Sequence, residues 1–384
     1  MQQFDVRVRG AGIVGRSLAL ALARAGLRVA LQHGTPPTAA GVQGVEVQAV
    51  KDVREDVRAY ALNAASVALL RSLKVWDALP SGSVTPVLDM KVHGDAPGAE
   101  LDFSAWQQHV SALAWIVDAA VLERELAAAV RFAPHITEVD AGASLAAPLT
   151  AVCDGRQSAE REALGVEFER HDYGHRAIAA RLACTRAHQG VARQWFRAPD
   201  VLALLPFDAP RPGSSYALVW SVPNERAAEL LAQDPLAFEH ELMQATGRSV
   251  GELTLASERA AWPLLQAAAT AWCGPGWVLL GDAAHVVHPL AGQGLNLGLA
   301  DVAALVEVIG RREPWRGLGD EKLLRRYARE RLAPTWAMSQ LTDGLLQLFS
   351  QDAPAWRDVR NRGLTLVNRV SPLKRWLTAQ ALRS

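Results

Sequence analysis

The segment from Gly281 through Asp282, Ala283, Ala284, His285, Val286, Val287, His288, Pro289, Leu290, Ala291, Gly292, Gln293, Gly294 and Leu295 to Asn296 gathers the residue types that hold a polar ring. A short apolar run, Trp277 to Leu280, delivers the chain into Gly-Asp, and the Gly292-Gln293-Gly294 turn opens onto a helix. An aspartate there accepts hydrogen bonds from sugar or ribitol hydroxyls. Glycines without Cβ let backbone N–H groups, and the positive end of a helix dipole, come close to a flat anionic ring. A flavin presents both partners in one molecule.

Two further turns carry ligand-binding chemistry. Val6 to Arg9, the Gly10-Ala11-Gly12-Ile13-Val14-Gly15 turn, an apolar run from Ser17 to Ala25 and a new strand at Val29 read as one βαβ unit. In such a unit the first glycine permits the turn, the second admits a pyrophosphate to the backbone, and the third lets helix and strand pack closely. About 20 residues on, where an acid usually holds ribose hydroxyls, stand Gln32 and His33. They read either as weaker hydroxyl partners or as exposed loop residues. The third turn, Asp154-Gly155, follows the apolar run Leu149 to Cys153, at the end of a strand where open α/β sheets place ligand contacts. Arg58, in an otherwise apolar stretch ahead of a helix from Ala64, reads either as a phosphate or flavin-edge contact or as a solvated surface cation.

The rest of the chain must position these turns. Its 384 residues, half of them hydrophobic, suffice for two or three cores and a large buried ligand. Forty basic and forty acidic side chains cancel, so no global field selects nucleic acid or an acidic substrate. Cys153, Cys184 and Cys273 form no CxxC pair, which argues against a disulfide framework or a zinc site and fits a reducing compartment. The N-terminus has no apolar signal region, and no run approaches the ~20 uncharged residues of a spanning helix. A cytoplasmic protein, peripheral at most on a membrane, is the expectation.

Residues 85–110 and 173–262 alternate like strands, with helices near 225–231 and 238–246; Leu113 to Ala128 reads as a loop and helix. After Asp301 the pattern is helical, from 321 to 338 and again from 341 to 349. Arg357, Arg360, Arg362, Arg369, Lys374, Arg375 and Arg383, interleaved with leucine, valine and tryptophan, make a basic amphipathic tail. It suits an anionic membrane surface, a partner in a biosynthetic complex, or its own domain.

The three turns, in this order and at these separations, resemble the single-component flavin aromatic hydroxylases related to p-hydroxybenzoate hydroxylase, and among them the ubiquinone-biosynthesis FAD-dependent hydroxylases. Residues 281 to 301 are similar to that family's signature almost residue for residue. Arg58 with Ala61-Leu62, Ile116-Val117, Arg193 to Phe196, Leu204 to Pro206 and Trp220-Ser221 extend the likeness. The resemblance implies an α/β fold: a Rossmann-like FAD-binding domain (1–84, 111–172 and 263–320), an inserted, mainly antiparallel β-sheet substrate domain (85–110 and 173–262), and a C-terminal helical region (321–384). Gly10, Gly12, Ile13, Val14 and Gly15 would cradle the FAD pyrophosphate, Gln32 and His33 would face its ribose, and Arg58 its phosphate or ring edge. Asp154 and Gly155 would stand between FAD and arriving NAD(P)H. Gly281 and Asp282 would hold the ribitol, and Pro289, Gly292, Gln293, Gly294, Leu295 and Asn296 would lie against the isoalloxazine, with His288 beside it. The chain departs from the family at His33, where an acid is usual, at Ala119-Ala120, where Asn-Arg is frequent, and at Cys153, where Ala is frequent.

The activity so implied is hydroxylation of an aromatic ring, in ubiquinone biosynthesis a polyprenyl phenol or quinol. NAD(P)H reduces FAD, O₂ adds at the flavin C4a, and the hydroperoxide delivers oxygen. Leu204, Leu205, Phe207, Trp220 and Trp262 are the expected walls of a dry, hydrophobic substrate pocket, and no residue is assigned as an acid or base; His285 and His288 read as structural histidines bonded to backbone. Two other readings remain open: a hydroxylase of a soluble aromatic or polyketide substrate, and a non-catalytic flavoprotein-family scaffold subunit.

Overall fold

The computed structural model describes residues 3–33, 56–94, 99–287 and 293–350. The βαβ unit is present as β1 (Val6–Arg9), α1 (Ile13–Arg24) and β2 (Val29–Gln32). Its strands are almost wholly buried, as parallel strands covered by helices on both faces require. Next come β3 (Ala59–Leu62) and α2 (Ala64–Ser72). Arg58 therefore precedes a strand rather than a helix. The helix starts only where Asn63 accepts the Ser66 N–H on its side chain and caps it.

The chain continues through β4 (Val84–Val87), β5 (Asp89–His93), β6 (Glu100–Ser104), α3 (Ala105–Gln108), β7 (Ala114–Asp118), α4 (Ala119–Arg131), β8 (Ile136–Val139), β9 (Leu149–Val152) and α5 (Ala159–Ala163). The loop expected just after Leu113 is the strand β7, paired on one side with β3 and on the other with β4. Asp118 ends it and caps α4 by accepting the Val121 N–H at 3.1 Å. The second half holds β10 (Phe168–Cys184), β11 (Val191–Arg197), β12 (Asp200–Phe207), β13 (Ser215–Pro223), α6 (Asn224–Ala232), α7 (Pro235–Ala245), β14 (Leu253–Leu255) and β15 (Ala260–Ala269). It ends with β16 (Cys273–Gly274), β17 (Trp277–Leu279), β18 (His285–Val286), α8 (Gln293–Gly310) and α9 (Glu321–Ser350). Where two helices were expected, α9 runs unbroken, with Pro334 inside it. Pro334 and Glu330, whose carbonyl loses its partner, are both exposed, so water can replace the missing bond.

Three sheets result. Six strands in the order β16-β17-β9-β1-β2-β8 form a sheet that is parallel except at β16. A nine-stranded sheet runs β18-β15-β10-β13-β12-β11-β5-β6, with β14 also on β10, and only its β11–β5 pair is parallel. A small sheet, β3-β7-β4, is made of strands that flank β5 and β6 in the chain. The expected division at 172/173 falls at the one irregularity in the β10–β15 ladder, between Asp172 and His175, while 262/263 lies inside continuous β15. The largest core packs α1, α8 and the start of α9 on the parallel sheet. A second core lies between the nine-stranded sheet and helices α6 and α7.

Candidate functional site

Strand order, not sequence, brings the three turns together. β17, β9 and β1 are neighbours, in register Leu279 to Val152 and Val152 to Arg9. The Gly281-Asp282, Asp154-Gly155 and Gly10-to-Gly15 turns therefore leave one edge of the sheet side by side, at the carboxyl ends where such sheets bind ligands.

The first turn is held by steric contact. Gly10 adopts φ +103°, and a Cβ there would lie 2.3 Å from the Cys153 carbonyl oxygen. A Cβ on Gly15 would sit 1.8 Å from the Gly10 oxygen, so helix and turn meet backbone to backbone. At Gly12 the space is open, with no atom within 4 Å of a built Cβ. Gly12 is also the N-cap of α1, makes no side-chain cap, and is followed by no acid in the first turn. Free N–H groups beside open space suit an anionic pyrophosphate. Across from them burial raises the Asp154 carboxyl pKa, and its Oδ1 is buried without a hydrogen-bond partner. These residues fit the cofactor expected of them.

Charge holds the other turn. Asp301, fully buried on α8, accepts the Gly281 N–H at 2.9 Å and lies 2.7 Å from His285 Nε2, both through Oδ2; its Oδ1 accepts Arg331 Nε at 2.7 Å. Burial pushes its carboxyl up, but His285 and Arg331 together outweigh that and hold its pKa below the ordinary value. An ionised carboxylate can only accept, so His285 donates to it. His285 also stacks on Trp272, with centroids 4.9 Å apart. Its partner is thus a carboxylate, not the backbone expected from sequence. Asp282 itself stands at the surface of the cleft. The protein walls around it raise its carboxyl pKa, against the pull of His285, Arg156 and Arg58.

Asn296 fastens the start of α8. Its Oδ1 accepts the Asn63 N–H at 3.0 Å and the Ser66 hydroxyl at 2.8 Å, and its Nδ2 donates to the Ala61 carbonyl at 2.8 Å. Its side chain is therefore committed to α2 and β3, and the first turn of α8, at Gln293, Gly294 and Leu295, has backbone N–H groups without an intrahelical acceptor. His288, Pro289 and Gly292 lie outside the described residues, as does the basic tail.

At the far end, Gln32 does not face a ribose. It is fully buried; its amide donates to the carbonyls of Asp140, Ala141 and Ala143, each at 2.9 Å, and its Oε1 accepts Arg7 Nε. A fully covered parallel strand must satisfy a buried amide from nearby backbone, and the 140–143 turn does so. His33 is exposed, 3.8 Å from Glu138. Arg58 grips Asp56 with two nitrogens, at 2.8 and 2.6 Å, and is 3.4 Å from Glu123. Its charge still reaches Asp282 and Tyr60, whose hydroxyl burial pushes up to about 12. Arg58 is thus at the cleft, Gln32 is not.

The five expected pocket residues divide between the two faces of the nine-stranded sheet. Leu204 and Trp220 belong to the core under α6 and α7, the Trp220 ring tilted against Phe238 with centroids 5.9 Å apart. Leu205 and Phe207 face the other way, and Trp262, paired with Ala177, shares that second face. Alternation along a strand forbids Leu204 and Leu205 from lining one pocket. That face also carries a patch of small side chains, Ala177, Ala179, Ala203, Ala217 and Val219, in register across β10, β12 and β13, with Arg181 opposite Ala217 beside it.

Two buried arginines went unnoticed in the sequence. Arg161, stacked on Phe168 at 3.7 Å, donates to the carbonyls of Ala283 and Arg156 and so ties the Asp154 turn to the Asp282 turn. Arg181, 4.0 Å from the Phe207 ring centroid, donates to the Arg58 carbonyl and to Asp118. Arg161 had one available signal, its place seven residues after Asp154. For Arg181 and Arg331 no local pattern marks the role; Asp301 closes the 281–301 run, but that run does not reveal its partner Arg331.

A parallel sheet with three ligand turns at one edge and a large antiparallel sheet beside it define an FAD-dependent monooxygenase of the aromatic hydroxylase type. The FAD binding domain family matches residues 125–342, more than half of the chain. Ubiquinone hydroxylase UbiL of Rhodospirillum rubrum is 31% identical over 98% of this chain and 89% of its own length. The 3-demethoxyubiquinol 3-hydroxylase of Escherichia coli is 29% identical over 99% of both chains. The chain belongs to the ubiquinone-biosynthesis FAD-dependent hydroxylase family. Among solved structures, p-nitrophenol 4-monooxygenase PnpA of Pseudomonas putida shares the fold with a TM-score of 0.74 at 17% identity, over 100% of this chain and 99% of that one. PqsL of Pseudomonas aeruginosa, in complex with 2-aminobenzoylacetate, does so at 0.75 and 19%, over 95% of this chain and 100% of that one.

Proposed function

We propose that this protein hydroxylates the aromatic ring of a polyprenyl phenol or quinol in ubiquinone biosynthesis, with NAD(P)H as transient reductant and O₂ as oxidant. The observation that carries the reading is the meeting of the three turns beside a sheet face of small residues. FAD, when bound, supplies the oxygen activation. Gly10, Gly12, Ile13, Val14 and Gly15 would hold its pyrophosphate, Gly281 and Asp282 its ribitol side, and residues 289–296 its ring. His33 and Arg58 stand at the rim, and Asp154-Gly155 faces the reductant's approach. The N–H groups and positive dipole end at the start of α8 would favour the negative charge that collects on a reduced ring, because they are preorganised and need no reorientation.

Substrate would lie against Ala177, Ala179, Ala203 and Val219, whose short side chains leave room for a ring, with Leu205, Phe207 and Trp262 as apolar walls. That surface excludes water, which would otherwise divert the oxygen to peroxide. In this assignment 1–84, 111–172 and 263–320 form the cofactor domain and 85–110 with 173–262 the substrate domain. A long prenyl chain requires access to a lipid surface, and the basic tail supplies the charge for a peripheral contact. No helix among the described residues is long and apolar enough to cross a membrane.

The test is direct. The purified chain is expected to carry FAD absorbance and to oxidise NAD(P)H faster with a prenylated phenol than with the same phenol lacking the prenyl group. Equal stimulation by both would shift the reading to a soluble aromatic substrate. A protein that stays colourless with added FAD would overturn it.

A further inference from the structure

Arg331 lies on α9, away from all three turns in sequence, and yet its guanidinium ends on the carboxylate that holds one of them. Nε donates to Asp301 Oδ1 at 2.7 Å, and the same guanidinium donates to the Leu297 carbonyl of α8 at 3.2 Å. Asp301 has zero side-chain exposure and Arg331 only 11%. The other oxygen of Asp301 takes the Gly281 N–H and His285. One carboxylate thus joins α9 to the first residue of the ribitol-side turn.

A guanidinium can fix a turn only if its own helix is fixed. Before Arg331, α9 is buried through Leu323, Leu324 and Tyr327, whose hydroxyl donates to the Leu279 carbonyl at 2.9 Å. Beyond it, the Asp343 carboxylate lies 3.0 Å from the Tyr173 hydroxyl on β10. The helix is anchored to the parallel sheet on one side of Arg331 and to the antiparallel sheet on the other. The turn yields to the helix rather than the reverse.

We infer that Asp301 and Arg331 are positioning residues for the cofactor turn: the buried pair sets where Gly281 and Asp282 stand, so FAD affinity depends on a guanidinium that does not touch it. The inference rests on the reading of residues 281–296 as the ribitol and ring site. Without Arg331 the carboxylate keeps His285 and one N–H but loses its permanent cation. A buried carboxylate in that state takes a proton or draws its remaining partners closer, and either change moves Gly281.

The experiment titrates FAD into the wild-type apoprotein and into Arg331→Met, Arg331→Lys and Asp301→Asn, reading flavin fluorescence for Kd and visible circular dichroism for the ring's surroundings. Arg331→Met and Asp301→Asn are expected to weaken FAD by about tenfold and to change the visible dichroism, as coupling through a shared contact allows. Arg331→Lys restores the charge and is expected to regain most of the affinity. Wild-type Kd and dichroism in either Arg331→Met or Asp301→Asn would overturn the inference, as would a lysine variant no better than the methionine one. Should Arg331→Met fail to fold, Asp301→Asn decides alone. A wild-type chain that takes up no FAD overturns the site reading itself, whereas a wild type that binds and variants that bind equally overturn only the role of this pair.

Discussion

The turns at Gly10 and at Gly281 serve neighbouring parts of one site and are built on opposite principles. In the first, backbone presses on backbone: a side chain at Gly15 would meet the Gly10 oxygen and one at Gly10 the Cys153 carbonyl, and no side-chain charge is needed. In the second, three side chains from three elements converge: Asp301 on α8, Arg331 on α9, and His285 after the turn itself, while Asn296 ties the start of α8 to α2 and β3. The two turns touch where Val14 packs on Gly281 and Gly298, a built Cβ on Gly298 coming within 2.8 Å of Val14. A turn held by sterics tolerates changes elsewhere but no added atom. A turn held by buried charge tolerates small changes within but none to its distant partners.

That contrast can be broken in five ways. The largest effect is expected from Gly15→Val, whose Cβ would overlap the Gly10 oxygen; the protein should lose FAD absorbance altogether, and retention of bound flavin would show that sterics do not govern the first turn. Asp301→Leu comes next. It leaves Arg331 buried without its anion, a loss of about 3–5 kcal/mol in urea unfolding.

Acid probes the same carboxylate. A carboxyl held below its ordinary pKa contributes stability that is present above the unfolded value near 4 and is lost as pH falls through the folded pKa. Wild type should therefore lose stability below about pH 4, and Asp301→Asn should show a shallower loss there. An unchanged acid slope in that variant would remove Asp301 from the account.

Asn296→Ala should cost about 1–3 kcal/mol, because the Asn63 N–H and Ala61 carbonyl lose partners in a buried place. Its urea midpoint should fall while Gly15-dependent binding of the pyrophosphate is untouched. The smallest effect is expected at the rim. His33→Glu supplies the acid usual at the end of β2, and FAD should bind tighter by less than about tenfold, since Glu138 nearby repels the new charge. Weaker binding would mean that His33 already serves the adenosine end.

How far the sequence reaches follows the same division. Gly10, Gly12 and Gly15 were readable because their spacing between a strand and a helix is a pattern six residues long, although the backbone that closes on Gly10 is that of Cys153. So were Asp154-Gly155 and Gly281-Asp282, each a short polar turn after an apolar strand. Gln32 was misplaced because a glutamine looks alike on an exposed loop and under a turn that takes its hydrogens. Leu204 and Trp220 were placed in the pocket because hydrophobicity marks burial and not the face; only the pairing of Leu202 with Trp220, and of Leu205 with Ala217, separates the two sides.

By itself, then, the sequence determined the chemistry of the turns, the βαβ start, the strand-rich middle and the family. Tertiary structure alone decided that residues 10, 154 and 281 share one edge, through the strand order β17-β9-β1. It alone decided that Asp301 is answered by Arg331 from another helix. The physical reason is range: a glycine-rich turn and strand alternation are patterns a few residues long, whereas a buried charge is satisfied by whatever partner the fold brings to it.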